Sequence, residues 1–455
     1  MTTPSSEEDD RPIRSLDDLC AVFQAAEKVP SAFRIGAEAE KFAVAATTGS
    51  PLEYEGPQSV VRIFEALAAY GWQPERELAG GPVIALRRGS SSVTLEPGSQ
   101  LELSGAALPD VHAVHAEFED HLRELAPISE ELGLIWLGVG FHPLARQSEL
   151  GWVPKQRYRV MKSYLPTKGS AAHDMMRRTA TVQANFDYSS EADALRKVRV
   201  MLRLSPLIHA MTANSPFYER RLAGKKSVRG EVWLNMDPAR SGLIPSLWHA
   251  PNPGYVDYVE WALDAGMFLF KRGERVVANT GQTFRDFLAN GFQGERATIA
   301  DFKLHLNTLF PEVRLKNTIE VRGCDSLPSE LAMAVPALFT GLLYDTRALD
   351  EAEALAAPFA YETVEAARPE LIRAGLAAKI GGVPAQRLAE RVLEIAQGGL
   401  ERRGRRDEQG RDERHYLDVL IALNAAGRSP ADTLTAGLEG AGPFSPAELI
   451  RRTRI

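Results

Sequence analysis

Carboxylates recur at every second position in several segments of this sequence. Two glutamates at positions i and i+2 of a strand project to the same side, roughly 7 Å apart, which suits ligands shared between neighbouring hard cations. Mg²⁺ requires oxygen ligands in an octahedral set and normally shares its coordination sphere with waters and substrate phosphates. Provided that their strands adjoin, the residues that could meet this need are Glu38, Glu40, Glu96, Glu102 and Glu320.

Two cationic side chains, Lys316 and Arg322, fall on the same side of a predicted strand as Glu320. They could hold phosphate oxygens and neutralise the charge that builds on a phosphoryl group during its transfer. The sequence has no Walker-type loop, because GGPVIALRRG does not match it and AGKKS at 223–227 lacks the glycine four residues further upstream. ATP, if bound, would therefore be held by metal ions and side chains.

These charged residues lie in segments where apolar and polar residues alternate with the period of a β-strand. Their polar side carries Glu, Gln, Asn, Asp, Trp and Arg, which favours a ligand-binding face over the simpler alternative of a solvated one. The apolar side of such a sheet must be covered by helices. The five predicted strands, of which the second is interrupted at Pro97-Gly98 and the fifth is the longest, lie within residues 33–40, 93–103, 179–187, 231–237 and 313–322.

Apolar residues at spacings of three and four predict the helices. Asp110 is an expected N-cap, and Ser190 forms an expected capping box with Asp193. The charge run at 401–415 is interpreted as a solvated loop or helix face. Helices are predicted for residues 110–132 with a kink at Pro127, for 190–206, for 58–70 and 255–266, and for most of the chain after about residue 328.

Composition is that of a large globular enzyme, with 455 residues, 44% of them apolar and 25% charged. The formal charge of 53 − 60 = −7 argues against a nucleic-acid partner, which would call for a basic stripe. No apolar stretch reaches membrane-spanning length, and the opening MTTPSSEEDD lacks the order of a signal peptide. We therefore expect a cytoplasmic protein without a membrane partner, with a disordered tail at residues 1–12 and a single domain at 13–455.

Several motifs of this sequence resemble those of the plant-type glutamate–cysteine ligases, a family that also occurs in proteobacteria. They appear in the family's order and extend over most of the chain, from about residue 30 to the tail GGLERRG at 398–404. The remaining motifs are FRIGAEAEKF at 33–42, LEPGSQLELSGA at 95–106, MMRRTATVQ at 175–183, SSEAD at 189–193, TFRDFL at 283–288, FPEVRLK at 310–316 and EVRG at 320–323.

The resemblance implies an α+β fold like the catalytic domain of glutamine synthetase. In that fold a curved, mostly antiparallel sheet holds the active site on its concave face and is backed by helices on its convex face. The implied reaction transfers the γ-phosphoryl group of ATP to the side-chain carboxylate of L-glutamate. The amine of L-cysteine then attacks the γ-glutamyl phosphate to give γ-glutamylcysteine, the first step of glutathione biosynthesis.

The resemblance also implies roles for individual residues. The five glutamates above would hold two or three Mg²⁺ ions, and Lys316 and Arg322 would bind ATP and act in catalysis together with Arg178. Arg178, Arg240 and Arg322 would contact carboxylate or phosphate oxygens of the substrates. The substrate pocket would be completed by Gln100, Tyr158, Met161, Tyr164, Gln183 and Trp233.

Some features depart from the plant pattern and leave alternatives open. The tract at 231–240 keeps only the Trp, Asp and Arg expected there, so another amine could replace cysteine as the acceptor, and a catalytically silent relative is a second alternative. Arg240 could be a loop surface residue, and Tyr158 and Trp233 could be packing residues. Cys20 and Cys324 are the only cysteines, which makes a regulatory cysteine pair doubtful. A monomer or a homodimer is expected.

Overall fold

An antiparallel β-sheet forms the centre of the structure, a computed structural model that describes residues 9–273 and 275–455. Nine strands of the described residues belong to this sheet, in the order β14-β15-β7-β1-β5-β4-β3-β2, with β6 paired to the far end of β1. The strands are β1 Ile35–Ala45, β2 Gln73–Arg76, β3 Val83–Arg88, β4 Ser91–Leu95, β5 Leu101–Ser104, β6 Leu134–Leu137, β7 Val182–Phe186, β8 Phe217–Tyr218, β9 Arg221–Leu222, β10 Ser241–Gly242, β11 Leu269–Arg272, β12 Arg275–Ala278, β13 Phe310–Pro311, β14 Val313–Leu315, β15 Ile319–Val321, β16 Lys379–Ile380 and β17 Val383–Pro384.

Helices make up most of the remaining described chain. The predicted α+β fold with a mostly antiparallel sheet is confirmed, as is the helical character of the part after residue 328. The helices are α1 Leu16–Gln24, α2 Val60–Leu67, α3 Val111–Leu132, α4 Gln156–Tyr164, α5 Ala172–Arg178, α6 Glu191–Met211, α7 Val228–Leu234, α8 Pro245–His249, α9 Tyr255–Asp264, α10 Phe284–Asn290, α11 Ile299–Leu306, α12 Ser329–Ala332, α13 Ala334–Leu343, α14 Thr346–Ala356, α15 Tyr361–Ala374, α16 Ala385–Arg403, α17 Asp418–Ala425, α18 Pro430–Thr435 and α19 Pro446–Thr453.

The apolar face of the sheet is covered by three of these helices. α3 packs on β1 and β6, α13 packs on β1 and β7, and α6 packs on β14 and β15. The alternate residues Ile35, Val182 and Ile319 face this layer and are fully buried. Burying an aliphatic side chain of this size contributes about 1.5–3 kcal/mol, so the layer fixes which side of each strand faces inward. α14, α15 and α16 form a second helical layer outside it.

The helix predictions are confirmed with one change of length. Asp110 Oδ1 accepts a hydrogen bond from the Ala113 amide, and α3 then continues through Pro127. The predicted helices at 58–70 and 255–266 are α2 and α9. α6 continues past Pro206 to Met211, because Ser205 Oγ donates to the Leu202 carbonyl that the proline nitrogen cannot reach.

The fourth predicted strand, at 231–237, is wrong. Residues 228–234 form α7, and Ser227 Oγ caps it by accepting a hydrogen bond from the Gly230 amide at 2.9 Å. Val228, Val232 and Met236 are buried at spacings of four, which is a helical period. The alternation of apolar and polar residues over so short a stretch fits either period, and the cap at Ser227 decides between them.

Two other predicted strands are hairpins. The fifth segment, at 313–322, turns back on itself, so that Arg314 of β14 lies directly opposite Glu320 of β15. The second segment breaks at Pro97-Gly98, as predicted, but β4 and β5 on either side of the break are antiparallel neighbours. In both cases the residues keep their predicted side of the sheet, because an antiparallel turn preserves the alternation within each strand.

The two chain regions expected to be disordered or solvated are attached to the body where the structure describes them. Residues 1–8 lie outside the described residues, but Asp9 and Arg11 accept backbone hydrogen bonds from residues 300 and 299. In the charge run at 401–415, Glu413 is buried and accepts a hydrogen bond from the Val111 amide. Among the described residues, no helix combines the length and apolar character needed to cross a bilayer.

Gly98 allows the turn between β4 and β5 to approach α5. A Cβ at this position would lie 2.4 Å from the Arg177 carbonyl oxygen, a backbone atom that cannot move away freely. We expect Gly98→Ala to lower the free energy of unfolding by about 1–3 kcal/mol, the usual cost of an overpacked site. Urea denaturation measures this, and Gly151→Ala is the matched control, because its Cβ would meet nothing within 4 Å. Equal stabilities of the two variants would contradict the prediction.

Candidate active site

Cross-strand neighbours on the polar face of the sheet bring the predicted carboxylates together. β1 lies between β5 and β7, and its Glu38 stands opposite Ser104 on one side and Gln183 on the other. Glu40 stands opposite Glu102 of β5. Directly opposed residues of antiparallel strands have Cβ atoms about 5 Å apart and share one face. The register therefore gathers three glutamates that come from two separate parts of the sequence.

A cavity of about 330 Å³ lies over this polar face. The sheet forms its floor, and its walls come from the turn at 96–100, from α4, and from residues of α7, β11 and the end of α11. The predicted site residues that line the cavity are Glu38, Glu40, Glu96, Gln100, Glu102, Tyr158, Met161, Gln183, Trp233, Lys316 and Arg322.

The carboxylates of β1 are crowded by burial and by one another. Burial and the nearby carboxylates of Glu320 and Glu102 raise the pKa of Glu38 to about 7. Burial and the carboxylates of Glu96 and Glu102 raise the pKa of Glu40 well above its ordinary value. A pair of like charges this close disfavours ionisation of both groups, and a divalent cation between them would reverse that effect.

Polar neighbours orient the remaining carboxylate oxygens. Asn185 Nδ2 donates to Glu38 Oε1 at 3.0 Å, and the Thr181 amide donates to Glu40 Oε2 at 3.1 Å. Ser104 Oγ donates to Glu102 Oε1 at 3.0 Å. These hydrogen bonds fix the side chains while leaving further lone pairs on each carboxylate. The donor set of hard, oriented oxygens is of the kind that Mg²⁺ prefers.

Gln100 and Glu96 belong to the turn between β4 and β5. The Glu96 amide donates to the Gln100 carbonyl, and Gln100 Nε2 donates to the Thr179 carbonyl at 2.8 Å. Gln100 therefore fastens the turn to the end of α5. Its amide group carries structural hydrogen bonds on both sides, since Gln100 Oε1 also accepts from the Gly98 amide. Glu96 is left facing the cavity near Glu40.

Glu320 lies beneath the cavity rather than along its wall. Its carboxylate is fully buried and accepts two hydrogen bonds from Arg314, both at 2.8 Å. Lys316 Nζ lies 2.9 Å from Glu320 Oε2, and Arg322 Nη1 donates to Glu320 Oε1. Burial would raise the pKa of Glu320, but these three cations outweigh it and hold that pKa well below its ordinary value. The predicted metal ligand is thus an anchor for three cations.

The three cations differ in how many of their N–H donors already bond protein oxygens. Arg314 uses Nε, Nη1 and Nη2 on Glu320 and on the carbonyls of Asn307 and Leu309. Arg322 uses only Nη1 among the described residues, on Glu320 and on Gln183 Oε1 at 2.6 Å. Both Arg322 and Lys316 line the cavity with donors to spare, as the sequence predicted.

The aromatic and sulfur side chains of α4 form one wall. Tyr158 is buried, and its hydroxyl donates to the Leu95 carbonyl at 2.6 Å. Lys155 Nζ donates to the same carbonyl at 2.7 Å. Burial and the neighbouring Arg157 lower the pKa of Lys155 to about 8. Tyr158 thus contributes packing as well as a surface of the cavity, and Met161 lies one turn further along the same helix wall.

Arg178 does not line the cavity. It is fully buried, and its guanidinium lies 4.5 Å from the ring centres of both Phe141 and Tyr218. Its Nη1 lies 3.3 Å from Asp174 and 3.4 Å from Glu219. The predicted contact of Arg178 with the substrates therefore has no support in this geometry, because the end of α5 turns the side chain away from the polar face.

Arg240 and Tyr164 are likewise outside the cavity lining. Arg240 is fully buried and donates from Nε to Asp237, from Nη1 to the Thr308 carbonyl and from Nη2 to the Gly266 carbonyl. With all three nitrogens occupied, it joins three segments of the chain and is a structural residue. Tyr164 packs edge-on against Phe268, which itself lines the cavity.

Several residues that line the cavity were not predicted from the sequence. Arg229 of α7 lines the cavity, and its guanidinium donates to the carbonyls of Arg322 and Gly323. Lys155 and Arg157 precede Tyr158 at the start of α4. None of the three lies on a strand, so the alternation of apolar and polar residues does not indicate them. The only signal in the sequence is that they lie close along the chain to Trp233 and Tyr158, which the family resemblance does place in the pocket.

Both cysteines are free thiols. Cys324 is buried just after β15, and burial raises its pKa to about 12. Cys20 lies on α1, and burial also raises its pKa. Thiols are reactive as thiolates, so these raised pKa values lower the reactivity of both residues at neutral pH.

With the sheet and its polar cavity established, comparison with solved structures identifies the class of fold. The chain has the fold of the glutamate–cysteine ligase of Francisella tularensis, which was solved in complex with AMP. The TM-score is 0.56 at 11% sequence identity, and the match covers 94% of this chain and 88% of that chain.

Comparison of sequences identifies the family. Residues 34–446 match the model of glutamate-cysteine ligase family 2 (GCS2), and the chain belongs to that family. The chloroplastic glutamate–cysteine ligase of Medicago truncatula is 37% identical over 421 residues, which cover 92% of this chain and 80% of the relative. The chloroplastic enzyme of Brassica juncea is 38% identical over 422 residues, with the same two coverages. The resemblance drawn from the motifs is confirmed.

The prediction of a cytoplasmic protein is wrong on this comparison, because these curated relatives are named as chloroplastic enzymes. That prediction rested on the lack of a membrane-length apolar stretch and of a secretory start. Neither observation bears on which interior compartment holds a protein.

The raised pKa of Glu38 makes a stability prediction with a definite sign. A carboxyl group with a native pKa of about 7, against an ordinary value of 4.5, contributes stability at acidic pH that is lost as the pH rises through 7. We expect metal-free Glu38→Gln to gain stability over wild type as the pH goes from 5 to 8, and saturating Mg²⁺ to shrink that gain by stabilising wild type. Thermal unfolding at each pH measures it.

The exposed Glu55 provides the control, since Glu55→Gln changes the same chemical group outside the cavity. Its difference from wild type should stay constant from pH 5 to 8. A Glu38→Gln difference that is equally flat would mean that Glu38 titrates normally and does not belong to a crowded carboxylate cluster.

Proposed function

We propose that this protein ligates the γ-carboxylate of L-glutamate to the amine of L-cysteine with ATP, giving γ-glutamylcysteine. The observation that supports this most is the division of charge in one cavity. Glu38, Glu40 and Glu102 line one part of the floor, and Lys316 and Arg322 line another. A nucleotide polyphosphate needs both, because its metal ions require carboxylates and its phosphoryl oxygens require cations.

Two or three Mg²⁺ ions would be held by the carboxylates that line the cavity, Glu38, Glu40, Glu96 and Glu102. The raised pKa values of Glu38 and Glu40 support this, since buried carboxylates without cationic partners are costly unless a metal neutralises them. Glu320 differs, because three cations already neutralise it. Bound Mg²⁺ supplies charge neutralisation of the phosphates and orientation of the transferring group.

Arg322 and Lys316 would stabilise the phosphoryl group during its transfer. Their shared bonds to Glu320 hold both side chains in one orientation, and their unused N–H groups remain available to phosphate oxygens. Donors fixed before the reaction need not reorganise as charge develops, which is the main source of electrostatic catalysis. Arg314 also lines the cavity but would act mainly as a support, because each of its three nitrogens already bonds a protein oxygen.

The transfer forms a bond between a γ-carboxylate oxygen of glutamate and phosphorus, and it releases ADP. The cysteine amine then attacks the carbonyl carbon of the acyl phosphate, inorganic phosphate leaves, and the nitrogen loses a proton. Gln183 would support the first step by holding Arg322 Nη1 at 2.6 Å. Arg229 also lines the cavity and would add positive charge that attracts a substrate carboxylate.

Tyr158, Met161 and Trp233 would shape the pocket for the amino-acid substrates. Trp233 packs edge-on against Phe310, and its Nε1 has no hydrogen-bond partner among the described residues. An apolar wall with a few free donors suits a small amino acid and keeps water from the acyl phosphate. Arg178, Arg240 and Tyr164 have no such position, so we assign them to the framework of the site.

The decisive measurement is phosphate release with ATP, Mg²⁺, glutamate and cysteine, followed by the omission of each component in turn. We expect release to depend on all four, and γ-glutamylcysteine to appear in equal amount to phosphate. If phosphate release requires a different amine instead of cysteine, the protein is a ligase with another acceptor. If no amine stimulates phosphate release, the protein is the catalytically silent relative.

Arg322→Lys tests the cation that the proposal relies on most. Lysine keeps the charge but loses the planar fork that grips two oxygens at once, so we expect kcat/KM to fall by about 10²-fold or more. Arg272→Lys is the matched control: Arg272 bonds Asp301 and Glu295 in a partly buried ion-pair cluster but does not line the cavity. A fall of only a few-fold for Arg322→Lys, matching that of the control, would make Arg322 a structural ion-pair residue.

A further inference from the structure

Two histidines and an aspartate converge outside the cavity, where the start of α3 meets the loop after α16. His112 lies in the first turn of α3, and Asp407 and His415 lie within residues 404–417. Their candidate ligand atoms all lie within 4.8 Å of one another, and each residue is half-buried. None of the three lines the cavity described above.

His415 has the hydrogen bond that metal-binding histidines normally make. Its Nδ1 lies 2.6 Å from the Asp412 carbonyl oxygen. A carbonyl can only accept, so Nδ1 carries the proton and the neutral ring keeps a lone pair on Nε2. Metal-ligating histidines commonly donate their other ring N–H to a carbonyl in this way, which fixes both tautomer and orientation.

His112 faces His415 and can present a lone pair as well. The two rings are nearly parallel, with an angle of 14° between their planes and 5.7 Å between their centres. His112 Nε2 lies 3.4 Å from the Arg405 carbonyl oxygen, which can only accept, so this contact places the proton on Nε2 and leaves the lone pair on Nδ1. The hydroxyl of Tyr416 lies 3.1 Å from Nδ1 and can rotate its proton away, which makes this lone pair available to a cation.

Asp407 is held in place by its own loop. Its Oδ1 accepts hydrogen bonds from the amides of Gln409 and Arg411, and its Oδ2 accepts from Arg411 Nε at 2.8 Å. These bonds use part of the acceptor capacity of the carboxylate and leave lone pairs for a cation. The Arg411 side chain is more than half exposed and can move toward water when a cation binds.

We propose that His112, Asp407 and His415 form a binding site for one divalent transition-metal ion, with Zn²⁺ as the best match. Two imidazole nitrogens and one carboxylate oxygen are a common zinc ligand set, with water as a fourth ligand. Mg²⁺, which requires oxygen ligands, would be disfavoured here. The site is therefore chemically distinct from the carboxylate cluster of the cavity.

The ion would join two parts of the chain that are about 300 residues apart in sequence. The loop is already docked on α3 by Glu413, which accepts hydrogen bonds from the Val111 amide and from Arg403. A bound metal ion would add to this contact. We therefore expect the ion to raise the stability of the helical layer, and we do not expect folding to require it.

The test uses the untagged full-length protein after removal of metals with a chelator. Co²⁺, which has visible absorption bands that Zn²⁺ lacks, is titrated into wild type and then displaced by Zn²⁺. With excess Mg²⁺ present to occupy the cavity carboxylates, we expect one Co²⁺ per chain that Zn²⁺ displaces, and a rise in Tm on the order of 1–3 °C with Zn²⁺.

Variants locate the bound ion. His112→Ala, His415→Ala and Asp407→Asn should each weaken Co²⁺ binding at least about 10-fold and abolish the Tm shift. His115→Ala is the matched control, because His115 lies one turn further along α3 and also contacts the ring of Tyr416. Circular dichroism checks that each variant is folded.

Three results would overturn the proposal. The first is no Co²⁺ or Zn²⁺ binding to wild type at micromolar concentrations. The second is unchanged binding in folded Asp407→Asn together with either histidine variant, which would put the ion elsewhere, for example on the cavity carboxylates. The third is an equal loss of binding in His115→Ala.

Discussion

The buried carboxylate of Glu320 is the interaction on which the rest of the cavity depends. Three cations, Arg314, Lys316 and Arg322, converge on this one group from two short strands. Without it they would repel one another, and without them a fully buried carboxylate would be costly. The four side chains therefore stabilise one another, and the cluster fixes the position of three cations that line the cavity.

The long strand β1 connects the cation cluster to the carboxylates of the cavity. Its first half pairs with β7 on one side and β5 on the other, and β7 in turn pairs with β15, which carries Glu320. The carboxylates of Glu38 and Glu40 are thus held at a fixed strand spacing from the cations. The apolar side of the same strands is clamped by α3, α6 and α13, so a slip in register would bury charge and expose core residues.

The alternation in the sequence predicted which strand residues line the cavity, but not the orientation of side chains at helix ends and in turns. Glu38, Glu102 and Gln183 lie on strands, where alternation alone states which side chains share a face. Arg178 lies at the end of a helix and Arg240 lies in a turn. At such positions no periodicity in the sequence predicts the direction of a side chain. The helix at 228–234 was missed because seven residues are too few to separate a period of two from one of 3.6. The hairpin at 313–322 was missed because a turn leaves the alternation intact.

Arg240, Arg314 and Arg322 each lie beside a carboxylate, but they differ in how many of their guanidinium nitrogens bond protein oxygens. Arg240 and Arg314 are buried beside carboxylates, and their Nε, Nη1 and Nη2 atoms all bond protein oxygens. Arg322 is equally close to a carboxylate, yet within the described residues it engages Nη1 alone. A guanidinium has five N–H donors, and Arg322 lines the cavity, so its unused donors are available to a ligand there. Glu320 thus orients Arg322 without engaging all of its donors, so the same contact both stabilises the sheet and leaves donors facing the cavity.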